Sequence, residues 1–245
     1  MTVLRSRVAF PLLLVLSTLT TSACDSLPGA PDAGPSSWIP SIAPSDLLGE
    51  RGDSLYGYTP EERAAIRVRN VGCTELGTGS GFAIDEHTVV TNRHVVNGYE
   101  NLEVSTSDGR DLTVTSVRTV SIADLAFITV VESLDTVVPL SSTDPALGDD
   151  VTVVGYPLGD ALTTTKGVVI RSEEDSLDNA DHVWLTSAKV KPGSSGSAAY
   201  NDAGRVFGVV YATEGDTDRG LIIPISLLLT AIDDDGIVMP LQPEC

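Results

Sequence analysis

The stretch Lys191-Pro192-Gly193-Ser194-Ser195-Gly196-Ser197-Ala198-Ala199-Tyr200 crowds small residues between two apolar runs, one ending near Leu185 and one from Val206 to Ala212. A tight turn of this composition can expose a serine hydroxyl with backbone N–H groups beside it. Such a hydroxyl attacks a carbonyl carbon once a base takes its proton. On composition Ser194, Ser195 and Ser197 compete for that role, and only Ser195 stands in a G-x-S-G register. A surface hairpin without chemistry has the same composition, so partners elsewhere in the chain must decide. Imidazole is the base suited to neutral pH, and the chain has three histidines. His87 follows Asp85-Glu86 and His182 follows Asn179-Ala180-Asp181, polar turns that predict surface positions. His94 lies between Val89-Val90-Thr91-Asn92-Arg93 and Val95-Val96, at the end of an apolar strand, where it is either a base or a core histidine. The third group needed is a carboxylate buried against the imidazole, which fixes its tautomer and stabilises its cation. Asp124 is the candidate, because it stands immediately before Leu125-Ala126-Phe127-Ile128-Thr129-Val130-Val131, the most apolar strand of the first half.

The elements that must position these groups read as short β-strands punctuated by Gly, Asp and Asn. A first series covers Ile66–Val71, Gly79–Ile84, His87–Thr91, Leu102–Ser105, Leu112–Arg118 and Leu125–Val131. A second covers Val151–Tyr156, Thr163–Arg171, His182–Ser187, Ala198–Tyr200, Arg205–Ala212 and Gly220–Ile223. Two sets of six strands joined near 141–150 predict an all-β fold of two six-stranded antiparallel barrels, about 64–140 and 150–223. Thr59-Pro60-Glu61-Glu62 reads as the start of a short helix. Pro224–Ile232, with Ile225, Leu228, Leu229 and Ile232 on one stripe, reads as a C-terminal helix.

Four motifs then carry a family resemblance: Gly79-Ser80-Gly81-Phe82, Val90-Thr91-Asn92-Arg93-His94-Val95-Val96, Asp124-Leu125-Ala126, and Pro192-Gly193-Ser194-Ser195-Gly196-Ser197. In order and spacing they resemble the trypsin-like serine proteases, most closely the bacterial HtrA-like branch. Val154-Gly155-Tyr156-Pro157-Leu158-Gly159, Gly208-Val209-Val210-Tyr211 and Gly220-Leu221-Ile222-Ile223-Pro224 look like the same group, so the similarity covers about Ile66 to Ile232. The resemblance implies a serine endopeptidase acting through an acyl-enzyme on a protein or peptide substrate. Ser195 would be the nucleophile, His94 the general base and acid, and Asp124 the orienting carboxylate. The N–H groups of Gly193 and Ser195 would form the oxyanion hole. Lys189 and Tyr211 fall where the family lines its primary specificity pocket, and a lysine there would favour an acidic residue at the cleavage point; a solvent-facing lysine on a strand edge is the plainer reading.

The chain departs from the family at Ser194, where Asn or Asp is usual, at Ser197, where glycine is common, and at Ala198-Ala199, where Pro-Leu is usual. The departures predict a differently positioned loop and leave open a catalytically silent protease-fold protein that binds partners at the cell surface. An esterase using the same triad is a further alternative. The stretch after Ile232 is too short for a PDZ domain, and a monomer is expected.

The N-terminus orders Arg5 and Arg7, an apolar run from Val8 to Leu16, and small polar residues up to Ala23, as a secretory signal does. Thr20-Thr21-Ser22-Ala23-Cys24 resembles a bacterial lipoprotein box, which would place a lipid anchor on Cys24 and the protein outside the cytoplasm. Residues 24–59, with five prolines, read as a linker to a domain at 60–245. Cys73 and Cys245 remain, either as two free thiols or as one bridge in an oxidising compartment. A bridge closing so long a loop stabilises by roughly 4–5 kcal/mol in the chain-entropy model, and an actinobacterial acid-resistance protease type shares a cysteine pair placed in this way. A net charge of −19 argues against nucleic acid as a partner. No paired C-x-x-C and no phosphate-cradling glycine loop is present, so no cofactor or metal is expected.

Overall fold

In the computed structural model, which describes residues 57–174 and 182–244, the folded chain begins at a five-residue helix, α1 (Pro60–Ala64). The Thr59 hydroxyl accepts the Glu62 N–H and the Glu62 carboxylate accepts the Thr59 N–H, a reciprocal cap that serves two donors no helical carbonyl can reach. Replacing Thr59 by alanine is therefore expected to cost about 1 kcal/mol, read as a lowered midpoint at unchanged slope in urea denaturation. The expected signal segment, most of the linker, Cys24 and Cys245 lie outside the described residues.

The first sheet contains β1 (Ala65–Gly72), β2 (Leu76–Ala83), β3 (Thr88–Thr91), β4 (Tyr99–Thr106), β5 (Asp111–Leu112), β6 (Val114–Val120) and β7 (Ala126–Val130). A last strand, β14 (Val238–Leu241), joins it after the second sheet is complete. The second sheet comprises β8 (Asp150–Gly155), β9 (Thr163–Glu174), β10 (His182–Lys189), β11 (Ala198–Tyr200), β12 (Val206–Glu214) and β13 (Arg219–Pro224). It closes into a six-stranded barrel in the order β10-β13-β12-β11-β8-β9.

The first half differs from the expected six-stranded barrel. It is an eight-stranded sheet in the order β14-β6-β7-β3-β2-β1-β4-β5, which does not close on itself. The strand read as Leu112–Arg118 is split at Thr113, whose N–H and hydroxyl both bind the Glu132 carboxylate, at 2.6 and 2.8 Å. Those bonds hold the Glu132 carboxyl below the usual carboxylate range. The outer edge of β6 is covered instead by β14, with Val238 to Leu241 opposite Val120 to Val117.

The C-terminal helix, α3, spans Ile225–Asp233. Its buried stripe is Ile225, Leu228 and Ala231 rather than one reaching Ile232, which is exposed. Leu228 joins Phe82, Val90, Leu125 and Phe127 of the first half and Val154, Val209 and Tyr211 of the second in one apolar cluster. The two halves thus share a core, and each keeps a further cluster inside its own sheet. The loops that carry the candidate residues lie along this seam.

Candidate active site

His94 sits on α2 (Arg93–Val96), a single turn that follows β3 directly. The apolar residues on either side explain its place, since Val89, Val90, Val95 and Val96 are all buried and anchor both ends of the turn. The His94 side chain is half exposed while that of Asp124 is 6% exposed. One carboxylate oxygen, Oδ2, accepts from His94 Nδ1 at 2.5 Å, and the other, Oδ1, accepts the His94 main-chain N–H at 2.9 Å. Asn92 Nδ2 donates to the Asp124 carbonyl at 2.7 Å. The aspartate is therefore held from behind and grips histidine at two points, so the ring proton resides on Nδ1 and Nε2 is left as a base.

The serine loop is shaped by left-handed glycines. Gly193 has φ +93°, and a Cβ there would lie 2.7 Å from Leu158 N; Gly196 has φ +87°, and a Cβ would lie 2.0 Å from Ser80 O. Only glycine fits either place. Each of the four carbonyls from Pro192 to Ser195 is held. Pro192 O accepts from Leu158 N at 2.6 Å, Ser194 O from Ser197 N at 3.0 Å, and Ser195 O from Ser80 N at 2.7 Å. Gly193 O accepts the Ser80 hydroxyl at 2.8 Å, and that hydroxyl in turn accepts Tyr156 N at 2.8 Å. The N–H groups of Gly193 and Ser195 are claimed by no acceptor among the described residues. Because C=O and N–H point oppositely across a trans peptide, anchoring the Pro192 carbonyl on Leu158 turns the Gly193 N–H the other way.

Burial separates the three serines. Ser194 is buried, and its hydroxyl accepts Lys191 N, closing the turn from within. Ser197 is fully buried, its Oγ 1.8 Å from where a Cβ on Gly155 would stand, so the missing side chain of Gly155 makes its room. Ser195 alone of the three keeps exposed surface. Its hydroxyl donates to Tyr211 O at 3.3 Å. Thr91, three residues before His94, would be 2.5 Å from a Cβ on Gly196, so the histidine and serine loops meet. Ala198-Ala199 do not displace the loop: they lie buried in β11, paired with β8 on one side and β12 on the other. His87 and His182 are exposed.

A cavity of about 310 Å³ opens beside Ser195, walled by Val190, Pro192, Ser194, Val210, Ala212 and Thr213. Lys189 is not on its wall. Its ammonium donates to Thr217 O, and the strand's alternation turns it outward as Val190 turns inward. The Tyr211 side chain is not on the wall either; its ring is buried and its carbonyl meets Ser195. A basis for choosing acidic residues through Lys189 is therefore missing.

Sequence reasoning quoted Ser80, Tyr156 and Leu158 only within family-like motifs and gave them no part in the site; Ser80 holds the loop from across the seam, and the Tyr156–Leu158 turn holds it from within its own half. Leu158 adopts φ +60° to present its N–H, and Arg67 braces the same turn, lying 4.8 Å over the Tyr156 ring and donating to Asp160 O at 2.7 Å. Burial pushes the Tyr156 hydroxyl up to about 12. The available signal was Ser80 standing between Gly79 and Gly81, two glycines that admit close approach of neighbouring chains.

Residues 79–209, more than half of the chain, match a family model described as a trypsin-like peptidase domain. Protease Do-like 2 of Arabidopsis thaliana chloroplasts is 37% identical over 175 residues, covering 65% of this chain and 28% of that protein. The serine protease Do-like HtrA of Bacillus subtilis is 32% identical over 197 residues, covering 74% of this chain and 42% of that protein. A probable periplasmic serine endoprotease, DegP-like, of Hahella chejuensis is 30% identical over 164 residues, covering 64% and 35%. The chain thus spans less than half the length of these relatives. Among solved structures, the active form of the Rv3671c protease from M. tuberculosis matches with a TM-score of 0.67 at 24% identity, covering 76% of this chain and 86% of that one. That likeness is one of fold.

Proposed function

We propose, from the premise that this chain belongs to the trypsin-like peptidase family, that it is a serine endopeptidase hydrolysing peptide bonds through an acyl-enzyme. The observation that carries this reading is the two-point hold of buried Asp124 on His94, which leaves Nε2 as the ring nitrogen available to act as base, on a loop that meets the serine loop where Thr91 packs on Gly196. Catalysis begins when the Ser195 hydroxyl leaves the Tyr211 carbonyl and turns to His94 Nε2. Oγ attacks the scissile carbonyl carbon as Nε2 takes the proton. The carbonyl oxygen becomes an oxyanion between the Gly193 and Ser195 N–H groups, each such donor being worth about 3–4 kcal/mol at the transition state. Collapse breaks the C–N bond, and His94 passes its proton to the departing amine. Water then attacks the acyl ester by the same route and restores Ser195. Asp124 stays ionised throughout and stabilises the imidazolium.

A fluorophosphonate probe tests this directly, since displacement of fluoride by Oγ needs both the base and the oxyanion donors. One adduct, located on Ser195 by mass spectrometry of the digested protein, is expected; no adduct, or one on another serine, refutes the mechanism. The resting bond from Ser195 to Tyr211 favours a second reading, a silent protease-fold binding module, and the same labelling separates the two.

Placement outside the cytoplasm, with residues 1–23 as signal and Cys24 as lipid anchor, rests on the N-terminal sequence and on the periplasmic naming of one relative. The Cys73–Cys245 bridge draws support from the disulfide-bonded state of Cys73. It draws more from Glu244, whose N–H donates to Tyr99 O and which lines the same cavity as Cys73.

A further inference from the structure

Ser195 and His94 each border a cavity, and the two cavities differ in character. The first, between the 190–195 loop and β12, has apolar walls contributed by Val190, Val210 and Ala212. The second, about 440 Å³, opens beside His94, between the β1–β2 turn and the end of α2. His94 itself is on its wall, and Thr78 at its edge lies against Gly159, whose turn flanks Gly193. This cavity therefore reaches from His94 to Thr78, which packs on the turn that flanks Gly193. In the proposed reaction the imidazole hands its proton to the departing amine, so the residues that follow the scissile bond lie on this side.

Its chemistry is one-sided. Glu75 and Glu244 both line it, and neither carboxylate is engaged in an ion pair or side-chain hydrogen bond among the described residues. No lysine or arginine is on its wall. Asn70 is 7% exposed and spends both amide protons on Val95 O and Asn97 O, at 3.0 and 2.8 Å. Its Oδ1 has no partner and is turned toward Gly72, where a Cβ would stand 3.9 Å away. Gly72, Asn97 and Asn70 all belong to the cavity wall. Two carboxylates at the rim and an unclaimed carbonyl-type acceptor in the buried wall, with no lysine or arginine among the lining residues, form a receptor for N–H donors carrying positive charge.

We infer that this cavity is a leaving-group subsite selecting peptides with lysine or arginine in the first two positions after the cleaved bond, with Glu75 and Glu244 as its specificity residues. The inference rests on the endopeptidase reading above. Glu75 and Glu244 are both exposed, and exposed pairs are worth at most about 1 kcal/mol, a roughly fivefold preference at the upper end, and weaken with salt.

Quenched peptides with valine before the scissile bond and Lys, Gln or Glu after it measure the preference. The expected order of kcat/KM is Lys above Gln above Glu, with the Lys-to-Glu ratio falling toward one in Glu75→Gln/Glu244→Gln and in 0.5 M salt. The same peptides, fluorescently tagged, are titrated against Ser195→Ala by anisotropy. Equal cleavage of the three peptides, or a ratio unchanged in the double variant, overturns the subsite. Glutamate-dependent tighter binding of the Lys peptide without cleavage by the wild-type chain keeps the subsite and sinks the endopeptidase reading. Neither cleavage nor selective binding sinks both.

Discussion

Asp124→Asn is expected to lower kcat by about four orders of magnitude, the cost of this exchange where a triad depends on its aspartate, while leaving the fold intact. The geometry sets the mechanism of the loss. Asp124 accepts two bonds, one from the His94 main-chain N–H and one from ring Nδ1. An asparagine can still accept the main-chain N–H through its amide oxygen, so α2 keeps its place. Its NH2 group then faces Nδ1 as a donor, which forces the ring proton to Nε2 and removes the base that the proposed mechanism needs there. KM should change little, since no substrate contact is lost. Fluorophosphonate labelling of Ser195 should slow in parallel with turnover, because both need Nε2 unprotonated. Thermal unfolding within a few degrees of the wild type would show that the loss is chemical. A fall in kcat of less than tenfold would remove Asp124 from the mechanism.

The pairing of His94 with Asp124 was legible because both stand at ends of strongly apolar strands, and such ends converge where a sheet's buried face meets a loop. The strand series was legible for the same reason, since alternation and turn residues are local signals. What escaped depends on distant contacts. The split at Thr113 is made by Glu132, nineteen residues on, and the edge partner of β6 comes from Val238-Met239-Pro240-Leu241 beyond α3, four apolar residues too short for an alternation and interrupted by a proline. Lys189 and Val190 show a second limit: the strand's period is visible in sequence, but which of two neighbours faces the cavity is a matter of register, and a one-residue slip reverses it. The departures at Ser197 and Ala198-Ala199 read as threats to the loop because the room for them is supplied by Gly155 and by the strands flanking β11, none of them adjacent in the chain.

Ser80→Ala makes the largest effect expected from a residue that touches no reacting atom. Its hydroxyl joins three pieces of backbone, donating to Gly193 O and accepting Tyr156 N, while its own N–H holds Ser195 O and its own carbonyl accepts Thr91 Oγ1 at 2.7 Å. Alanine keeps the two main-chain bonds and fits the space, so the sheet pairing of β2 survives. It leaves the Gly193 carbonyl and the Tyr156 N–H buried without partners, which should lower stability by about 2–3 kcal/mol. The catalytic cost follows from geometry: the Gly193–Ser194 peptide loses the anchor on its carbonyl and keeps only the Ser194 N–H on Lys191 O at 2.8 Å, which loosens it and with it the alignment of the two proposed oxyanion donors on either side. Misplacing one donor is worth about a hundredfold in kcat. A loss confined to folding would lower the amount of active enzyme and leave the kcat of the folded fraction unchanged. A loss of donor alignment lowers kcat per folded molecule at nearly constant KM, and weakens a peptide boronate, which presents a tetrahedral oxygen, by the same factor. Active-site titration with the fluorophosphonate, run beside both measurements, counts the competent molecules. If the boronate binds Ser80→Ala as tightly as the wild type, the hydroxyl of Ser80 is a structural bond across the seam and no part of how the oxyanion donors are held.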